Sequence, residues 1–180
     1  MKKCLSKTIL LLLFLTSTYT LKAQHKFVFG ICAGLNTAIN GKLTVHSNVG
    51  LQGGFEIGDH LNDNTLLTLS LKGSSLNTRD DDYNYWSFTS IMGKYRYILT
   101  KEKKVHPYLF IGAGAVNINR PRHHDNEAID NIWNLGIQAG PGIDIGIFTT
   151  YIQYQYSGKA EMWGTMIPLH TLSFVFGVYL

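Results

Sequence analysis

Cysteine is nearly missing: the 180 residues contain two, Cys4 and Cys32. The first sits in a leader described below, so Cys32 is expected to stand alone, and no intramolecular disulfide can hold the exported fold. Proline is scarce as well, with four in all, which leaves short strands uninterrupted. Long apolar runs are absent. The most apolar one, residues 9–15, is far short of the roughly 20 residues that a membrane-spanning helix needs. An excess of one charge sign is absent too, once the leader is set aside. The full chain has 16 Lys and Arg against 12 Asp and Glu, but Lys2, Lys3, Lys7 and Lys22 all belong to the leader, and their loss leaves 12 against 12. The basic balance is therefore a property of targeting and gives no ground for a nucleic-acid partner.

The first 23 residues, MKKCLSKTILLLLFLTSTYTLKA, have a lysine-rich start, a short apolar centre and a small-residue exit. That is the organisation of a secretory signal peptide. Cleavage is expected after Ala23, leaving residues 24–180 as one domain. Cys4 precedes the apolar centre, whereas a lipid-attachment cysteine would follow it.

What the chain does have is glycine (18), tyrosine (10) and many short runs of period two. Side chains alternate across a strand, so a period of two with one apolar parity reads as a half-buried strand. In KFVFGICAGLN, Phe27, Phe29, Ile31, Ala33 and Leu35 oppose Val28, Gly30, Cys32, Gly34 and Asn36. In TVHSNVGLQGGFEIG, Leu51, Phe55 and Ile57 oppose Gln52 and Glu56; in LLTLSLKGS, Leu67, Leu69 and Leu71 oppose Thr68, Ser70 and Lys72. Tyr95 and Tyr97 oppose Lys94 and Arg96 in the next run, although Trp86 and Phe88 fall on its polar parity. Leu135 and Ile137 oppose Gln138 and Asp144; Ile152 and Tyr154 oppose Gln153 and Gln155; Leu172, Phe174 and Phe176 oppose Thr171, Ser173 and Tyr179. PYLFIGAGAVNI is apolar on both parities and has no readable orientation. Together these runs predict eight strands.

The connections separate a soluble sandwich from a membrane barrel. After the odd strands come TAINGK, LNTRDDDYN, NRPRHHDNEAIDN and SGKAEMWGTMIPLH; after the even ones come DHLND, TKEKKV and GIF. Long loops on one side and short turns on the other are the asymmetry of outer-membrane barrels. Aromatics suggest two interfacial girdles, with Tyr95, Tyr97, Tyr108, Phe148 and Tyr179 near the short turns and Tyr85, Trp133, Tyr156 and Trp163 near the long loops. The expected fold is all-β, an eight-stranded antiparallel up-and-down transmembrane β-barrel. Its last strand pairs with its first, so that no edge stays open.

The order and spacing of KAQ, GLQGGFEIG, IMGKYRYIL, HPYLFIGAG, LGIQAGPGIDIG and LSFVFGVYL resemble the small outer-membrane β-barrel proteins of Bacteroidetes-type Gram-negative bacteria, the family with PorT-like domains. The resemblance implies residence in the cell outer membrane, among lipid and lipopolysaccharide, after insertion by the barrel-assembly machinery. It also leads to an expected terminal aromatic residue, where this sequence has Leu180.

Candidate chemistry is sparse. Glu56, Lys72, Lys94, Arg96 and Asp144 fall on the lumen parity with both charge signs, and an internal ion-pair network is expected, since buried charges require partners. Eight strands leave no room for a wide pore. His123, His124 and Asp125, with Glu127 nearby, form the best cluster for metal-ligand chemistry; a solvated polar loop is the plainer reading. RDDDYN at 79–84 fails as an EF-hand, because Tyr85 and Ile91 occupy the Gly and Glu positions. GAGAVN and GPGIDIG complete no nucleotide fingerprint. No cofactor and no catalytic residue are assigned. The sequence thus predicts a non-enzymatic barrel with a packed polar lumen, its long loops serving surface contacts or envelope integrity through an unknown extracellular or envelope partner. Two alternatives stand: a secreted lipocalin-like barrel binding an apolar ligand, and a lipid A acyl hydrolase or acyltransferase using His123 or His124, Ser157 and Glu127.

Overall fold

Large apolar side chains at every second position bend this chain into a closed wall rather than a layered core. The computed structural model describes residues 26–39, 49–77, 85–100, 104–119, 131–162 and 165–180. They form eight strands: β1 (Phe27–Ala38), β2 (Gly50–Asn62), β3 (Thr65–Asn77), β4 (Tyr85–Ile98), β5 (Val105–Asn119), β6 (Asn131–Ile145), β7 (Phe148–Met162) and β8 (Thr165–Tyr179). Each pairs antiparallel with its neighbour in sequence, and β1 pairs with β8, with Leu35 opposite Phe174 and Ala33 opposite Phe176. Closure removes both open edges, as the fold requires. The leader of residues 1–23 lies outside the described residues.

The two faces are inverted relative to a water-soluble protein. Leu67, Leu69 and Leu71 are about half exposed on the outer surface, while Thr68, Ser70 and Lys72 between them are buried. The same alternation runs through β1, β2, β6 and β8. It also settles β5, whose sequence had no readable orientation: Tyr108, Phe110 and Val116 point inward, and Leu109 and Ile111 outward.

Three sequence expectations are corrected. SGKAEMWGTMIPLH is no long loop, because β7 and β8 extend through most of it and leave residues 163–164 between them. Its threonine, methionine, isoleucine and leucine continue the ladder, from Lys159 opposite Pro168 to Met162 opposite Thr165. Tyr108 and Tyr179 do not belong to a girdle. Both rings turn into the lumen, where charged groups engage them. The lumen is also not polar throughout. At the loop end Leu76, Trp86, Phe88, Val116, Ile118 and Leu169 form an apolar plug, which explains why Trp86 and Phe88 share the parity of Lys94 and Arg96.

Candidate functional site

The charged residues of the lumen come from four strands whose inward parity the register aligns: Glu56 on β2, Lys72 on β3, Lys94 and Arg96 on β4, and Asp144 on β6. Lys94 Nζ donates to Glu56 Oε1 at 2.6 Å, and Lys72 Nζ lies 3.2 Å from the same oxygen. Arg96 Nη1 donates to both oxygens of Asp144 at 3.1 and 3.2 Å. The structure therefore brings all five residues into two ion-pair groups.

Tyrosines join those groups, and the sequence had given them no such role. Tyr179 on β8 donates its hydroxyl hydrogen to Glu56 Oε2 at 2.5 Å and accepts from Arg96 Nη2 at 2.6 Å. Tyr151 on β7 donates to Glu56 Oε1 at 3.0 Å and accepts from Lys72 at 2.6 Å. Lys72 also donates to Gln153 Oε1 at 3.0 Å. The available signal was parity: Tyr151 alternates in step with Gln153 and Gln155, and Tyr179 with Thr171 and Ser173.

Three cations share this network with two carboxylates, and aromatic faces answer the imbalance. The Arg96 guanidinium sits 4.0 Å from the Tyr108 ring centre and 4.7 Å from that of Tyr179. Lys94 lies 5.0 Å from the Phe110 centroid and 4.9 Å from that of Tyr151. A ring face is the negative part of an aromatic quadrupole, and the attraction strengthens when water is excluded. Gly142 makes this packing possible, since the Tyr108 ring lies across its Cα and would collide with any side chain there. Tyr108 Oη and Thr149 Oγ1 then pair at 2.7 Å.

Glu56, Lys72, Lys94 and Arg96 are almost wholly buried, and Asp144 largely so. Their hydrogen bonds run among side chains of six strands, which makes the network a cross-lumen tie rather than an open binding site. Of the candidate catalytic and metal residues, Ser157 alone is among the described residues. Ser157 is fully buried in the lumen, where it accepts a hydrogen bond from Gln155 Nε2 at 2.9 Å, so it does not face the outer leaflet as the acyl-chain chemistry would require. His123, His124, Asp125 and Glu127 lie outside the described residues.

No family model matches the sequence, and no curated protein matches it. Solved structures do match. Neisserial surface protein A superposes with a TM-score of 0.67 at 16% identity, over 86% of this chain and 96% of the other. The N-terminal β-barrel domain of Pseudomonas aeruginosa OprF gives a TM-score of 0.50 at 16% identity, over 87% of this chain and 100% of the other. At these identities the likeness is one of fold: a small, closed, eight-stranded barrel of the outer-membrane kind.

Proposed function

We propose that this protein is a non-enzymatic outer-membrane barrel, delivered by cleavage of residues 1–23, whose wall is solvated by lipid and whose loops make contacts outside the membrane. The observation that carries the reading is the inversion of its faces. Leucine, isoleucine and phenylalanine are exposed around the wall, whereas Glu56, Lys72, Lys94 and Arg96 are sealed inside. Monomeric soluble proteins rarely expose continuous apolar surface beyond a few hundred Å². A lipid-facing wall whose strands pair with one another all the way round the barrel removes that difficulty.

The same observation disfavours the lipocalin-like alternative, since a lumen filled by an ion-pair network is a poor receptacle for an apolar ligand. The lipid A-modifying alternative loses support with the placement of Ser157. Lipopolysaccharide, the assembly machinery and an extracellular or envelope partner remain part of the proposal, together with the PorT-like kinship. Carbonate extraction of native envelopes, followed by gels of unboiled and boiled samples, tests it. Retention with the outer membrane, a heat-dependent migration shift and a mature N-terminus at Gln24 are expected. Recovery as a detergent-free soluble species would overturn it.

A further inference from the structure

The outer face of the wall changes chemistry where β7 and β8 approach the loop end. On β8 the outward positions run Phe176, Phe174, Leu172 and then His170; on β7 they run Ile152, Tyr154, Tyr156 and then Lys159. Tyr156 and Lys159 are successive outward residues because the register shifts between them, with Ser157 and Gly158 both buried. A polar group in lipid is costly unless it is hydrogen-bonded, and His170 is bonded. Its Nδ1 lies 2.6 Å from Tyr154 Oη. Its ring centre stands 5.8 Å from that of Tyr154 and 5.1 Å from that of Tyr156, which faces it across the ladder. With Tyr154 as donor to Nδ1, the imidazole carries its hydrogen on Nε2, on the other side of the ring.

The height of this cluster identifies what surrounds it. Leu180 lies at the short-turn end, bonded to Phe29. His170 is ten positions away on the same strand, which at about 3.4 Å per residue and a tilt of about 45° is a rise of about 24 Å. The outward apolar band of such barrels is about 25 Å tall. His170 therefore stands at the loop-side edge of the hydrocarbon, where headgroups begin, and the exposed Lys159 comes next toward the loop. The β8 sequence has no acidic residue, and that of β7 has only Glu161, two residues past Lys159.

We propose that Tyr154, Tyr156, His170 and Lys159 form an outward-facing site for a lipid headgroup phosphate, filled in the membrane by a phosphate of the lipid A part of lipopolysaccharide. Lys159 supplies the charge, and His170 Nε2 donates to a phosphate oxygen. Tyr154 fixes the imidazole, and the Tyr156 ring backs it. Hydrogen bonds from such donors to an anionic oxygen are about twice as strong as neutral ones. A phosphate monoester carries about 1.5 to 2 negative charges near neutral pH, against the single charge of a phospholipid diester, so a lysine beside a histidine favours the monoester of lipid A. The inference rests on the outer-membrane reading above and adds a specific lipid contact to it.

NMR of the folded protein, with isotope-labelled histidine and in phosphatidylcholine nanodiscs, tests the site as diphosphoryl lipid A is added to the bilayer. The His170 ring signals, identified by their loss in His170→Phe, should move and saturate. Lys159→Gln should weaken the response at least fivefold, and Tyr154→Phe should weaken it with the heat-dependent gel shift unchanged. Phosphate-free lipid A, phosphatidylglycerol and inorganic phosphate should each act far more weakly. An equal response to phosphatidylglycerol or to inorganic phosphate would mean an unselective anion site and overturn the assignment to lipid A. An equal response to phosphate-free lipid A would mean that the phosphate is not what is bound. Unmoved His170 signals in a chain that keeps its gel shift would remove the site and leave the barrel reading standing, whereas a chain that never acquires the shift in lipid would take both away.

Discussion

Glu56 and Lys94 meet inside the barrel at 2.6 Å, each about 1% exposed. Neither charge has water to fall back on, so each depends on the other and on Tyr151, Tyr179 and Lys72 around them. Breaking a buried pair from one side strands a charge at a cost of about 3–5 kcal/mol, whereas replacing both partners is far milder. Glu56→Gln should accordingly lower the urea midpoint in detergent micelles strongly, and Glu56→Gln/Lys94→Met should recover a large part of the loss. A double variant as unstable as the single one would mean that the pair is not the coupled unit.

Arginine on the outer face tests the opposite side of the wall. Leu69 is 53% exposed there, next to the buried Ser70. A lipid-facing arginine near the bilayer midplane costs about 2–4 kcal/mol. Leu69→Arg should therefore impair insertion into liposomes, read as loss of the heat-modifiable form. Ser70→Ala, inside the lumen, should insert normally. Equal insertion of both variants would mean that the faces are misassigned.

Gly142 is predicted to tolerate no side chain. Alanine there would displace the Tyr108 ring from above it, and with it the contact to Arg96 and the bond to Thr149. Overpacking of this kind costs about 1–3 kcal/mol. Gly142→Ala should lower the unfolding midpoint, and Tyr108→Phe/Gly142→Ala should recover little of it, because a Cβ there meets the ring carbons Cζ and Cε2 as well as the hydroxyl. Recovery by the Phe variant would put the fault in the hydroxyl instead.

Replacing residues 120–130 by a short Gly-Ser linker should leave the heat-dependent gel shift intact, since the β5–β6 ladder below it is complete to Asn119 and Asn131. Loss of folding would make the segment structural.

Most of the wall was legible because a strand has only two faces. Once Leu67, Leu69 and Leu71 share a parity, Thr68, Ser70 and Lys72 must share the other, and the five charged lumen residues fall out of the same alternation. What was hidden depends on side chains reaching across the lumen. Parity places Tyr179 inward and leaves Tyr108 unoriented, and it cannot say that both rings lie against Arg96; aromatic preference for interfaces pulled them, wrongly, into a girdle. Likewise, Trp86 and Phe88 look like parity errors until the neighbouring β5 supplies Ile118 and β8 supplies Leu169. The extension of β7 and β8 was missed because Gly158 reads as a loop residue, whereas here it marks a bulge inside a strand that continues.

Spin labels scanned along β3 measure at once the lipid outside the wall and the packed side chains inside it. Single cysteines at positions 66–72, in a chain with Cys32 changed to Ser and reconstituted in bilayers, would carry the label. Collisions with oxygen should be high at 67, 69 and 71 and low at 66, 68, 70 and 72, and a water-soluble nickel complex should reach neither set. Nickel access at 67, 69 and 71 would mean a water-facing wall, and nickel access at 68, 70 and 72 a hydrated pore; either result contradicts the structure of a lipid-embedded barrel with a closed lumen.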